Sequence, residues 1–352
     1  MKMHRRTFLR WLSIQFAALA GSKFLAACRQ TVGPLPSPDS TVTTSPLSSQ
    51  TPSTTQAEAA AGMGATETAE MTPTVQSTQP LPYPDLAVAR GGEPEALVHA
   101  AIASLGGMER FVKSGDRVVI KPNICVAYHT YEYAATANPW VVAALVRLSL
   151  EAGAGRVLVM DYPFGGTPEE AYIRSGIQEQ VLAAGGEMEA ISTFKFIETE
   201  IPDGIDLKVC DIYDDVLSAD VVINVPIAKH HSLARLTLGM KNLMGVILDR
   251  PAMHQNLGQR LADLTSRVRP ALTVVDAVRI LMYGGPTGGS LDAVKKMDTV
   301  IASPDIVAAD SYAATLFDVA PMELDYIKAG TAMGLGRSDL SSLKIEEINV
   351  GA

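Results

Sequence analysis

The chain has 352 residues, 47% hydrophobic and 19% charged, with a formal net charge of −9 and no basic run in its body. An acidic chain of this kind argues against nucleic acid as a partner. Beyond Cys28 only Cys125 and Cys210 remain, too few for a disulfide-stapled mini-fold or a cysteine-ligated iron–sulfur cluster.

The amino terminus reads as an export signal. Lys2, Arg5, Arg6 and Arg10 lead into a short apolar run, Trp11 to Ala20, well below the length of a bilayer-spanning anchor. Arg5-Arg6 followed by Phe8-Leu9 resembles the twin-arginine signal, which implies the twin-arginine export machinery as a partner and passage in the folded state. Leu25-Ala26-Ala27-Cys28 resembles a lipobox, with Cys28 the lipidated first residue of the mature chain. Removal of residues 1–27, with their five Lys and Arg and no acid, takes the net charge from −9 to −14. Residues 28–82, rich in Ser, Thr, Pro and Ala, cannot bury enough apolar surface to offset their ordering entropy and are expected to form a disordered tether. The expected location is therefore the outer face of the cytoplasmic membrane, with the membrane bound through Cys28. Residues 83–352 are long enough for one α/β domain, or two close lobes.

Within that domain Leu86 to Ala89 reads as a strand. Pro94 starts a helix that keeps helical spacing to Leu105 and stops at Gly106-Gly107. A second strand, Asp116 to Ile120, ends in Lys121-Pro122-Asn123. Residues 125–137 hold Tyr128, His129, Tyr131, Glu132 and Tyr133 without periodicity, as in a loop or lid. Asn138-Pro139 caps a helix to Ala152, and a strand from Arg156 ends at Asp161. Thr167-Pro168-Glu169-Glu170 opens a helical region closed by Gly185-Gly186. Met188 to Cys210 has the mixed alternation of peripheral strands or a small subsheet.

The most informative stretch is Asp220 to Arg250. Its apolar run Val221 to Val225 predicts a buried strand stopped by Pro226, followed by a polar connection holding Lys229, His230, His231, Lys241 and Asn242. Further on come a helix from Gln255 to Arg267, a strand Ala271 to Val275 ending at Asp276, and a glycine-rich loop from Met282 to Ser290. A strand Asp298 to Ala302, a small-residue helix Asp305 to Leu316 and a last strand near Lys344 to Val350 complete the order. Alternating strands and helices predict an α/β fold with a largely parallel sheet flanked by helices. If the strands are parallel, Lys121–Asn123, Asp161, Lys229–His231 and Asp276 converge on the carboxyl rim, where open sheets bind ligands.

With these residues laid out, IKPN (120–123), PIAKHHSLARLTLGMKNLMGVILDR (226–250), His254, LTVVDAV (272–278), GGPTGG (284–289) and ASPDIVAADSYAA (302–314) resemble the uncharacterised domain-of-unknown-function family 362. The resemblance covers nearly all of residues 85–340. Many members of that family carry a cysteine-rich ferredoxin-like domain, which this sequence lacks. The resemblance groups the fold and matches positions without supplying a reaction.

The residues themselves suggest a site for a small anionic molecule. Lys121, Lys229 and Lys241, with Asn123 and Asn242, would hold a carboxylate or phosphate, and His230, His231 and His254 would move protons. Adjacent histidines on an extended segment point oppositely, so one of His230 and His231 is expected to face the site. A divalent metal on His254 with Asp276 or Asp310 is a further expectation. The glycine loop has neither nucleotide-binding spacing and is equally explained as a tight turn. The absence of GxSxG disfavours serine hydrolysis. Two readings remain, an enzyme acting on a small anion and a lipoprotein that captures one without chemistry.

Overall fold

The computed structural model describes residues 83–351; the expected signal, Cys28 and the expected tether lie outside them. The first half of the domain contains β1 (Leu86–Arg90), α1 (Pro94–Ser104), β2 (Arg117–Pro122), α2 (Pro139–Glu151) and β3 (Arg156–Val159). Next come α3 (Pro168–Arg174), α4 (Ile177–Ala183), β4 (Glu187–Met188), β5 (Phe196–Glu200), β6 (Val209–Tyr213) and α5 (Asp214–Ser218). The candidate site segment supplies β7 (Val221–Val225), β8 (Ile227–His231), β9 (Arg235–Thr237), α6 (Gly239–Asn242) and α7 (Arg250–Met253). The chain closes with α8 (Leu257–Val268), β10 (Leu272–Leu281), β11 (Val294–Ser303), α9 (Ile306–Thr315), α10 (Asp325–Ala332) and β12 (Ile345–Asn349).

Ten strands form the central sheet in the order β12-β1-β11-β10-β7-β2-β3-β4, with β8 and β9 attached beside β10. The run β10-β7-β2-β3-β4 is parallel throughout, whereas β11 runs against both β1 and β10. β5 and β6 pair antiparallel as a separate small sheet, the peripheral subsheet anticipated from the sequence.

Alternation along the strands divides the core between two faces. Val118, Ile120, Val157 and Ile223 pack against α1, α2 and α4, while Val119, Leu158, Val222 and Val275 face α8, α9 and α10. Both faces being covered, the strands need continuous apolar runs, and VVINV in β7 is buried at every position. Local chemistry starts the helices where expected. The Asn138 side chain accepts from Trp140 N ahead of α2, and Thr167 with Glu170 forms a capping box on α3.

Three sequence expectations are revised. The helical region after Thr167 breaks at Gly176, whose φ of 76° no helix accommodates. β10 and β11 each run ten residues, because they pair with one another well past Asp276, where charged Arg279, Lys295 and Lys296 obscure the strand signal. The polar connection after Pro226 is not a loop. β8 continues the direction of β7, paired parallel to the far half of β10, and β9 folds back on it.

Candidate functional site

The parallel run of strands brings the polar strand ends together. Lys121, at the end of β2, is buried with its ammonium 2.7 Å from Asp161 Oδ1. It also donates to Asn242 Oδ1 at 2.8 Å and to the Pro122 carbonyl at 3.0 Å. Asp161 in turn accepts from the amides of Ile124 (2.6 Å) and Tyr162 (2.9 Å). Burial pulls the Lys121 pKa down, and the Asp161 carboxylate pushes back. Gly245 is required beside this pair, since a Cβ there would lie 1.9 Å from Asp161 Oδ1.

Lys229 is equally committed. Its ammonium donates to Asn123 Oδ1 (2.9 Å), the Ala135 carbonyl (2.6 Å) and the Pro286 carbonyl (2.9 Å). It thereby ties the 125–137 loop and the glycine-rich loop to the rim. Asn123 Nδ2 donates to Asn242 Oδ1 at 2.9 Å, Asn242 Nδ2 to Asn224 Oδ1 at 2.9 Å, and Asn224 Nδ2 to the Gly239 carbonyl at 3.0 Å. An ammonium has three hydrogens, so Lys121 and Lys229 have none left for a ligand. They are internal struts where the sequence suggested anion holders, because each is buried among fixed acceptors.

Lys241 is different. Its residue is only 9% exposed, yet no hydrogen bond or ion pair reaches its ammonium among the described residues. Its backbone is nonetheless pinned. Asp310 on α9 accepts from the amides of Gly239 and Met240 at 2.5 and 3.0 Å, and the next residue, Asn242, is locked into the amide lattice. Burial lowers the Lys241 pKa to about 8, with Lys229, Lys121 and Arg250 acting in the same direction and Cys125 opposing. Arg250 is anchored over the Tyr162 ring, 4.2 Å from its centroid, and donates to the Tyr162 and Pro163 carbonyls.

The three histidines occupy distinct settings. His231 Nδ1 accepts from the amides of Leu233 and Ala234 at 3.1 and 3.3 Å. Burial, reinforced by Lys241, lowers its pKa to about 3, so it is a neutral imidazole with its proton on Nε2. His230, partly buried, accepts from Gly285 N at 3.1 Å through Nδ1, so the two rings engage different backbone segments. His254 is exposed, and its pKa is lowered by burial of its surroundings and by Lys241, against the Pro251 carbonyl it bonds.

Asp276 and Asp310 are not brought to His254. Asp276 accepts from the amides of Asn138 and Val278 at 2.6 and 3.0 Å, fixing the start of α2, and Asp310 clamps α6. Burial raises their pKa values to about 6 and about 7, the amide hydrogen bonds opposing. Among the described residues no group of three or more His, Cys, Asp or Glu is placed to hold a metal ion. Cys125 and Cys210 are both free thiols.

Asn224 and Arg250 complete the rim without having been assigned to it from sequence. An amide inside an apolar strand, as Asn224 is, was the available signal, since a buried polar group must find partners. Clefts of about 220 and 190 Å³ lie elsewhere on the domain, one lined by Val216, Arg267 and Arg269 and the other by His99, Met108 and Glu151. Neither gathers proton-transfer groups around an unpaired charge, so the chemistry favours the Lys241 rim.

Comparison with known proteins places this rim inside a shared region. The model of DUF362, a domain of unknown function, matches residues 118–315, from β2 to the end of α9. A thylakoid-associated protein of Synechocystis sp. is 27% identical over 255 residues, covering 68% of this chain and 75% of that protein. The lactate racemase apoprotein from Thermoanaerobacterium thermosaccharolyticum aligns with a TM-score of 0.39 and 12% identity over 60% of this chain and 53% of that one. A protein from Thermotoga maritima aligns with a TM-score of 0.38 and 12% identity, over 64% and 60% of the two chains. The chain spans less than two thirds of either solved structure.

Proposed function

The chain belongs to the DUF362 family, and on that footing we propose that the Lys241 rim is the active site of an enzyme acting on a small anionic molecule. One observation supports this above the rest: a nine-tenths buried lysine with no partner among the described residues. Its nitrogen keeps a contact with solvent, and an ammonium stripped of most of its hydration is costly unless another charge or acceptor offsets the loss. A ligand carboxylate or phosphate supplies that offset, and Arg250 strengthens the attraction.

His254 is the proton-transfer group of this reading. It is exposed, and its lowered pKa leaves it neutral and basic at pH 7. His231 and His230 each use Nδ1 to accept an amide hydrogen, so their Nε2–H groups serve as donors. Proton-transfer groups beside a cation are more than capture alone requires.

The test is thermal unfolding of the full chain against small carboxylates and phosphates, followed by NMR of whichever anion stabilises it. An anion present at 100 times its dissociation constant adds about 2.7 kcal/mol. Lys241→Gln is expected to lose that stabilisation, while His254→Ala keeps it and loses chemical turnover of the anion. Equal stabilisation of wild type and Lys241→Gln sinks the proposal, and a bound anion that never changes turns it into a solute-binding protein.

The proposal includes export and anchoring. The twin-arginine-like start and the lipobox-like run before Cys28 support a domain held through a lipid on the outer face of the cytoplasmic membrane.

A further inference from the structure

The three rim lysines differ in what their nitrogens touch. Lys121 and Lys229 each meet three oxygen acceptors, which tie up their nitrogens inside the protein although burial lowers the pKa of both. Lys241 meets none among the described residues, and its nearest charged neighbours oppose a further positive charge. A lysine desolvated beside other cations gives up its proton readily and becomes a nucleophile.

We propose that Lys241 condenses with the carbonyl carbon of a small oxo acid to form an imine. This rests on the anion-site reading and names the class of substrate it takes. The groups facing Lys241 are Lys121, Lys229, Arg250, Cys125, His231 and His254. The nearby carboxylates are already engaged, Asp161 by Lys121 and Asp310 by the α6 amides. The surroundings therefore attract an acid and leave its charge unopposed by any carboxylate of the protein. Asp310 and Asn242 hold the backbone on both sides of Lys241, so the side chain approaches the carbonyl from a fixed root.

The step balances without oxidant or reductant. The neutral Lys241 nitrogen attacks the carbonyl carbon, and a C–N bond forms as the C=O π pair moves to oxygen. The nitrogen loses a proton and the oxygen gains one, giving a carbinolamine. A second proton reaches the hydroxyl, the C–O bond breaks, and water leaves as the nitrogen lone pair closes a protonated C=N. His254, beside Lys241, carries protons between nitrogen and oxygen. With a pKa of about 8, roughly a tenth of Lys241 is neutral at pH 7, against about one in three thousand for an ordinary lysine.

The experiment is borohydride trapping of the full wild-type chain with pyruvate or 2-oxoglutarate, read by peptide mass spectrometry. The expected result is a reduced adduct at Lys241, heavier by the oxo acid less one oxygen atom, with occupancy at least tenfold above that of exposed Lys113, Lys295 and Lys328. Adduct formation should rise with pH through about 8. Adducts spread evenly over surface lysines overturn the inference, as does the absence of any adduct. Thermal stabilisation by the same oxo acids, measured without borohydride, separates the two readings. Stabilisation without an adduct retains the anion site and removes the imine, whereas neither effect removes both.

Discussion

Replacing Lys241 by Met should make the protein more stable. The lysine pKa falls from 10.5 to about 8 on folding, and each unit is worth about 1.4 kcal/mol. The folded chain therefore carries a penalty of about 3 kcal/mol for the charged group. Because the folded pKa lies below the unfolded one, the unfolded chain binds more protons between about pH 8 and 10.5. Wild-type stability consequently rises with pH across that window, and the penalty is fully present below it. Methionine keeps an unbranched apolar stem and removes the charge. Lys241→Met is thus expected to exceed wild type by about 2–3 kcal/mol at pH 7, roughly 5–10 °C in melting temperature for a domain of this size. The gap should close towards pH 10.5. Urea unfolding of both proteins at pH 7 and pH 10 measures it, the difference cancelling every other titrating group. A variant less stable than wild type at pH 7, or a gap that ignores pH, would falsify the unpaired state of this ammonium. Stability given up at one residue in this way is the usual mark of a functional position.

Two further outcomes follow from geometry and sequence. Gly245→Ala places a methyl 1.9 Å from Asp161 Oδ1 and 2.6 Å from Lys121 Nζ, so the buried ion pair must separate, at a cost of about 3–5 kcal/mol in urea unfolding; a loss under about 1 kcal/mol would mean that the pair shifts freely. On the proposed lipid anchoring, Cys28→Ser should shift the protein from the membrane fraction into the soluble one, and an unchanged distribution would refute the role proposed for Cys28.

The rim was legible in the sequence because apolar runs stop abruptly at polar residues. Val118 to Ile120 meeting Lys121, and Val157 to Val159 leading to Asp161, mark buried strands whose ends face a ligand side. The division of labour among the lysines was not legible. Lys121, Lys229 and Lys241 all follow apolar stretches, but the acceptors that occupy the first two come from residues up to 121 positions away, and no local pattern records them. Asp276 and Asp310 looked like metal ligands for the same reason. Their actual partners are backbone amides, which every residue but proline possesses and which therefore leave no compositional trace. β8 was read as loop because its polar residues, Lys229 to His231, find buried or half-buried places through distant contacts that override strand propensity.

The amide lattice beneath Lys241 also has a sense of travel. From Lys229 through Asn123, Asn242 and Asn224 to the Gly239 carbonyl, every hydrogen points the same way. Head-to-tail donors polarise one another, so the series is stronger than its members taken singly. Reversing one asparagine amide would set donor against donor on one side and acceptor against acceptor on the other, breaking two bonds at once. The arrangement thus has no half-turned intermediate, and the sheet and α6 are joined by a one-way series that is either whole or undone.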